Sequence, residues 1–221
     1  MNSSKEAIIA AIKKNKPDIL PLPEHPKFPY ENNLIEQFQA SIKLNGGLAK
    51  AGEGKEQIQQ YLNEKFSAKQ QVLSLVDGIA GNFDIEKVKD PHELEHIEVA
   101  VLEGDWGVVE NAAIWLPEEK IIHRALPFIA QHLIVLVKVE NLLGNMHEVY
   151  QKVNVAGPGY GVFVAGPSKT ADIEQSLVIG AHGPRSMIVY LMDRFQQNLD
   201  QSYNQRLNPQ REISPNLMLI L

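Results

Sequence analysis

The chain has no cysteine among its 221 residues. That excludes disulfides, thiolate catalysis, cysteine-ligated zinc and an iron–sulfur cluster held by this chain alone. Any electron transfer would need a bound cofactor or another subunit. No apolar run approaches the roughly 20 residues needed to span a bilayer. The N-terminal MNSSKEAIIAAIKKNK lacks the apolar core and small-residue cleavage site of a signal peptide and reads as a short amphipathic helix, so a cytoplasmic location is expected. Positive charge is also scarce: 21 Lys and Arg stand against 27 Asp and Glu, for a formal net charge of −6. Scattered basic residues in an acidic chain argue against nucleic-acid binding. A dinucleotide G-x-G-x-x-G fingerprint and a G-x-S-x-G nucleophile elbow are both missing.

What is present suggests one globular domain with extensions: residues 1–30 as an N-terminal helix and proline-rich arm, 31–193 as an α/β domain, and 194–221 as a C-terminal helix and apolar tail. The arm carries five prolines between Pro17 and Pro29, which favours extended polyproline II structure. From Glu31 the periodicity is helical, with Leu34, Ile35, Phe38 and Ile42 on one stripe and Gly46–Gly47 as a stop. Leu48–Ala51 reads as extended, Glu53–Phe66 as a helix, and Val72–Val76, Ile97–Leu102 and Val108–Leu116 as strands. His132–Val137 is almost wholly apolar and suits a central strand covered on both faces. Asn141–Val153 reads as a helix, Gly161–Val164 and Met187–Leu191 as buried strands. Alternation of helix and strand predicts a mainly parallel sheet flanked by helices. The apolar Leu217–Leu221 is expected to dock on the domain or on another protomer, which leaves a homo-oligomer open.

Two motifs look stronger than they are. His92-Glu-Leu-Glu-His96 satisfies H-E-x-x-H, but the β-branched IEVAVL that follows leaves room for only a short turn, so a solvated helical turn before a strand is expected rather than a zinc site. Gly161–Thr170 looks like a P-loop, but Pro167 and Ser168 intervene where Lys must follow the second glycine. What survives is Thr170 as a helix N-cap, with Asp172 in the first turn and N–H groups around Ser168 able to hold an anion.

Chemistry concentrates in two punctuated loops. Gly166–Thr170 offers Ser168, Lys169 and Thr170. Ala181–Arg185 offers His182, Gly183 and Arg185. Glycine and proline at strand ends fix unusual geometry that can aim donors at a ligand. Arg185 could grip a carboxylate and His182 accept a proton, as 2-hydroxy-acid chemistry requires. Glu110 lies inside the apolar run VVENAAIW, either on the wet face of an edge strand or buried for a purpose; burial would demand a partner, for which Arg124 is a candidate. The other six histidines are assigned to helix or strand surfaces.

GPSKTADIE followed by GAHGPRSMIVYLM resembles the signature of the LUD-domain family, of the lactate-utilisation protein C type. FQASIKLNGGLAK, DWGVVENAAIWLP and RALPFIAQHLIVLV extend the likeness from about Glu31 to Asp193. The resemblance implies a fold like that of the sugar-phosphate isomerase and CoA-transferase group. It also implies a non-redox subunit, with no cofactor of its own, acting beside iron–sulfur subunits that oxidise L-lactate to pyruvate. The expected site is Glu110 and His182 as catalytic groups, with Arg124, Gly166, Ser168, Thr170, Asp172, Gly183 and Arg185 binding a small anionic ligand. Where the family has Glu-Thr-Gly, this chain has Glu110-Asn111-Ala112. A stand-alone enzyme on a phosphorylated or CoA-linked substrate, with Glu110 as base or nucleophile, and a non-catalytic binding module are the alternatives. The two loops are expected to meet, in one cleft with Glu110 and Arg124. That requires antiparallel strands or a third element that folds one loop back.

Overall fold

The computed structural model describes residues 4–17, 20–21, 33–153, 159–170 and 178–193. Helix α1 (Ser4–Lys14) comes first, then α2 (Leu34–Leu44), β1 (Leu48–Ala51), α3 (Lys55–Lys65), β2 (Gln71–Ser74), β3 (Ile97–Glu103), β4 (Trp106–Val108) and β5 (Ile114–Pro117). Two short helices follow, α4 (Glu118–Ile121) and α5 (Leu126–Ile129), then β6 (His132–Lys138), β7 (Leu142–Leu143) and α6 (Met146–Tyr150). The chain ends its described course in β8 (Gly161–Val164), β9 (Lys169–Thr170), β10 (Val178–Ile179) and β11 (Ser186–Met192). None of the described helices is long and apolar enough to cross a membrane. Most of the proline-rich arm and everything after Asp193 lie outside the described residues, and with them the expected C-terminal helix and docked tail.

Five strands form a wholly parallel sheet in the order β1-β11-β6-β3-β2. The expected α/β architecture is therefore present. Strand β6 lies at its centre with five consecutive buried residues, Leu133–Val137. That unbroken apolar run is what burial on two faces demands. One face packs on α3 through Ile58 and Leu62. The other packs on α2 through Phe38 and Ile42, and on α5 through Leu126. Helix α2 starts where Asn33 Oδ1 accepts from the Glu36 N–H at 3.4 Å. By contrast α1 buries no residue, and its Ile8 and Ile12 remain exposed.

A second sheet, β7-β4-β5-β8, stacks on the α2 face. Strands β4 and β5 form an antiparallel hairpin, β5 pairs antiparallel with β8, and β7 joins β4 in parallel, so this sheet is antiparallel apart from that one short pair. This corrects two sequence expectations. Val108–Leu116 is not one strand: the chain turns at 109–113, where Asn111 Oδ1 accepts from the Ala113 N–H at 2.9 Å and Ala112 takes a positive φ of 55°. Nor is Asn141–Val153 one helix. Asn141 is drawn into a side-chain bond to the Asp105 carbonyl at 2.7 Å, and Leu142–Leu143 pair with β4. Helix α6 then starts afresh at Asn145, whose Oδ1 caps the Glu148 N–H at 3.1 Å. In both places a short polar side chain captures the backbone and overrides the apolar pattern.

Candidate functional site

Strands of a parallel sheet all begin at one edge. At this edge β1 is preceded by Asn45-Gly46-Gly47, β11 by His182–Arg185, and β6 by Gln131. The Gly166–Lys169 loop comes to the same edge from the other sheet. Gly166 has φ +140°, and a Cβ there would lie 3.0 Å from the Asn45 carbonyl oxygen. Only glycine suits that conformation and that approach.

The two signature loops meet directly. The Ser168 N–H donates to the Pro184 carbonyl at 2.8 Å, and the Gly180 N–H donates to the Ser168 carbonyl at 3.0 Å. A Cβ on Gly183 would come within 3.0 Å of the Ser168 Cβ, so the close approach depends on glycine. The strands that flank the loops, β8 and β11, lie in different sheets. The element that folds one loop back on the other is the antiparallel hairpin β9–β10, closed by Thr170 Oγ1 donating to the Val178 carbonyl at 3.2 Å. Lys169 extends beside Gly46. His182, Arg185 and Lys169 are exposed, whereas Ser168 is half-buried and Pro167 and Pro184 are buried. The result is a junction with two buried prolines whose loops carry two cationic side chains and an imidazole, all exposed, residue types that suit a small anion.

Several sequence-based assignments need correction here. Thr170 is a strand residue of the hairpin rather than a helix N-cap, and the Ser168 N–H is already committed to Pro184. Asp172 lies outside the described residues. Glu110 is exposed, and it sits in the β4–β5 turn rather than in the expected strand Val108–Leu116. Its Oε1 accepts from the Met146 N–H at 2.8 Å, so Arg124 is not its partner. The Glu110 turn still touches the signature edge: the Asn45 side chain donates to the Asn111 carbonyl at 2.8 Å, and Asn45 abuts Gly166. Arg124 belongs elsewhere. Its Nε donates to Glu118 Oε1 at 2.5 Å, and its guanidinium lies 5.1 Å from the Tyr160 ring centre. That bond lowers the Glu118 carboxyl below its usual range. Glu118 and Tyr160 line a cleft of about 870 Å³ on the outer face of the antiparallel sheet, walled by Trp106, Trp115, Tyr150 and Phe163. The expected single cleft containing both loops, Glu110 and Arg124 is thus divided. The loops and the Glu110 turn adjoin, while Arg124 lines up with the aromatic cleft.

The H-E-x-x-H segment forms a 3-10 turn, Pro91–His96, that leads into β3. His92 Nδ1 pairs with Asp90 at 2.6 Å and His96 Nε2 with Glu95 at 3.1 Å. The bond to Asp90 raises the His92 pKa.

Sequence reasoning passed over His132. Its Nδ1 lies 2.7 Å from Ser186 Oγ, and its Nε2 lies 3.5 Å from Glu98 Oε1. Burial lowers its pKa, and the nearby positive charges of Arg185 and Lys65 act in the same direction, against Glu98. No local motif announces a contact between residues 132 and 186. A polar residue opening each of two apolar strands was the available signal.

The model of the LUD domain matches residues 33–192, which is most of the chain. The chain belongs to the LUD-domain family. Its similar relatives include proteins named lactate utilization protein C. That of Bacillus pumilus is 30% identical over 105 residues, covering 45% of this chain and 44% of the relative. That of Oceanobacillus iheyensis is 26% identical over 105 residues, covering 45% of each. That of Anoxybacillus flavithermus is 24% identical over 163 residues, covering 73% of this chain and 71% of the relative. The match therefore spans less than half the length of the first two relatives. A solved structure of a DUF162 family protein from Deinococcus radiodurans aligns with TM-score 0.52 and 18% identity, over 74% of this chain and 99% of that one. It shares the fold.

Proposed function

We propose that this chain is a non-redox LUD-type subunit of L-lactate utilisation that binds a small anionic ligand at the signature edge. In this reading separate iron–sulfur subunits carry the electrons as lactate becomes pyruvate, consistent with a chain that has no thiolate for a cluster. The observation that carries the reading is the direct junction of the two loops. The Ser168–Pro184 hydrogen bond joins the backbone of the loop that carries Lys169 to that of the loop that carries His182 and Arg185, and all three side chains are exposed. A 2-hydroxy acid presents a carboxylate and a hydroxyl. Arg185 suits the carboxylate, as a bidentate partner, and His182 suits proton exchange with the hydroxyl. The relatives named for lactate utilisation favour the same ligand class.

The test is lactate-dependent dye reduction by iron–sulfur subunits assembled with and without this chain. Wild-type chain is expected to be required, and Arg185→Gln to lower the rate at limiting lactate by about 10-fold or more, the size of a lost charge-assisted contact of 1.5–3 kcal/mol. Turnover of acyl-CoA esters or sugar phosphates by the chain alone would point instead to the stand-alone enzyme. Unchanged ligand affinity in both Arg185→Gln and His182→Ala would point to an architectural module.

A further inference from the structure

At the same sheet edge, three polar side chains from three neighbouring strands converge. His132 opens β6, Ser186 opens β11, and the ladder sets them opposite one another. Glu98 enters from β3 by a local irregularity. Gln71 pairs with Ile97 and Val72 pairs with Val99, which leaves Glu98 as the extra residue of a bulge. A bulge re-aims a side chain that regular alternation would send elsewhere. Here it turns the Glu98 carboxylate toward the imidazole, 3.5 Å from Nε2.

The polarity of the chain of contacts follows from the donors available. The Glu98 carboxylate lies 3.5 Å from Nε2, a charge contact rather than a hydrogen bond, and its negative charge favours the ring proton on that nitrogen. Nδ1 is then the acceptor, and Ser186 Oγ, 2.7 Å away, donates to it. Burial and the adjacent cations keep the imidazole neutral at neutral pH, which is the form able to take a proton. The ring of Phe66 packs on His132 with centres 5.6 Å apart, walling the group on one side. His132 and Glu98 keep about a third of their side-chain surface open, at 29% and 30%. Arg185 and Lys65 are exposed beside them.

We propose that Ser186 is a nucleophile, activated by His132 and oriented through Glu98, that accepts the acyl group of small anionic esters. Ser186 Oγ attacks the ester carbonyl carbon while its proton passes to His132 Nδ1. The carbonyl carbon–alkoxide bond breaks as Nδ1 returns that proton to the departing alcohol. A water molecule, deprotonated by the same nitrogen, then attacks the acyl-serine and releases the carboxylic acid and free Ser186. The sequence is a hydrolysis and needs no oxidant or reductant. Arg185 and Lys65 select for the anionic end of the substrate. Glu98 is a positioning residue: its charge favours this tautomer and stabilises the imidazolium. The inference is independent of lactate utilisation and shares with it only the Arg185 side chain.

The absence of cysteine makes the test clean, since Ser186→Cys installs a single thiol. Its alkylation by iodoacetamide is followed against pH. The inflection is expected at least about one unit below the ordinary thiol value near 8.5. Adding His132→Gln should return it to that value, and adding Glu98→Gln should return it part of the way. Wild-type chain is expected to take up a fluorophosphonate at Ser186, located by peptide mass mapping, and His132→Gln to slow that labelling about 100-fold or more. Circular dichroism of each variant shows whether the fold survives, and Glu98→Gln, on the partly open rim, keeps the test alive if His132→Gln misfolds. A thiol that titrates in the ordinary range, a rate indifferent to both replacements, or a fluorophosphonate adduct absent from Ser186 would overturn the proposal.

Discussion

The two sheets of this domain are held together in different ways. The parallel sheet is covered on both faces, and its inner strands are almost continuously apolar: Val99–Leu102 in β3, Leu133–Val137 in β6 and Val189–Met192 in β11 are all buried. The antiparallel sheet is built from strands of two to four residues, and its outer face leaves Trp106, Trp115 and Phe163 partly open. Its turns and ends are fixed by Asn45, Asn111, Asn141 and Asn145. One sheet is specified by burial, the other by individual polar side chains. The candidate site lies where the first presents its entering edge and the second delivers the Gly166 loop.

That contrast can be broken by mutation. The largest loss is expected for Leu102→Ala in β3, which is fully buried against the α2 face. Urea unfolding should register about 2–5 kcal/mol. Phe163→Ala, on the partly open face of the antiparallel sheet, should cost clearly less, and an equal loss would erase the distinction between the sheets. Gly161→Ala comes next. Its Cβ would fall 2.1 Å from Trp115 Cζ2, so the indole must move, at about 1–3 kcal/mol. Both tryptophans of the chain line the aromatic cleft, so a shifted emission maximum should accompany that loss.

Effects of similar or smaller size sharpen the comparison at the junction. Gly166→Ala should cost about 1–3 kcal/mol, because φ +140° and the Asn45 carbonyl both resist a side chain. Ala112→Gly should be nearly neutral, within about 0.5 kcal/mol. It relieves a positive φ worth about 1 kcal/mol and gives up one buried methyl of similar value. Ala112 holds a left-handed turn with its methyl group buried.

The smallest effect is a pH dependence. The His132 pKa is below the ordinary 6.5, so near pH 6 the folded chain binds fewer protons at this ring than the unfolded chain. Stability from this group is therefore whole above the ordinary histidine range and is lost as the pH falls through the depressed folded value. His92, raised by Asp90, has the opposite sign. Proton NMR titration should find His132 titrating below 6.5 and His92 above it, and His132→Gln should flatten the acid limb of the stability profile.

Burial-driven features were legible in the sequence because periodicity reports burial. Leu48–Ala51 and Gly161–Val164 were read with the observed limits, and β6 and β11 to within a residue at each end. The β4–β5 turn was not, because Ala112–Ala113 look apolar and the deciding contact is an Asn111 side chain on its own backbone. The conjunction of the two loops was anticipated, but the hairpin that produces it was not named, since two-residue strands leave no periodicity. The sequence makes Arg124 a candidate partner for Glu110 only if that carboxylate is buried. In the fold each finds a closer partner, the Met146 N–H and Glu118. The Ser186–His132 contact spans 54 positions and could not be found without the strand order.

The most direct measurement is a titration of L-lactate into isotopically labelled chain, followed by amide chemical shifts. The junction of the signature loops as a ligand site predicts saturable shifts centred on Gly166, Ser168, Gly183 and Arg185, lost in Arg185→Gln. Saturable shifts confined to the aromatic cleft around Trp106, Trp115 and Tyr160, or none at any residue up to saturating lactate, would contradict it.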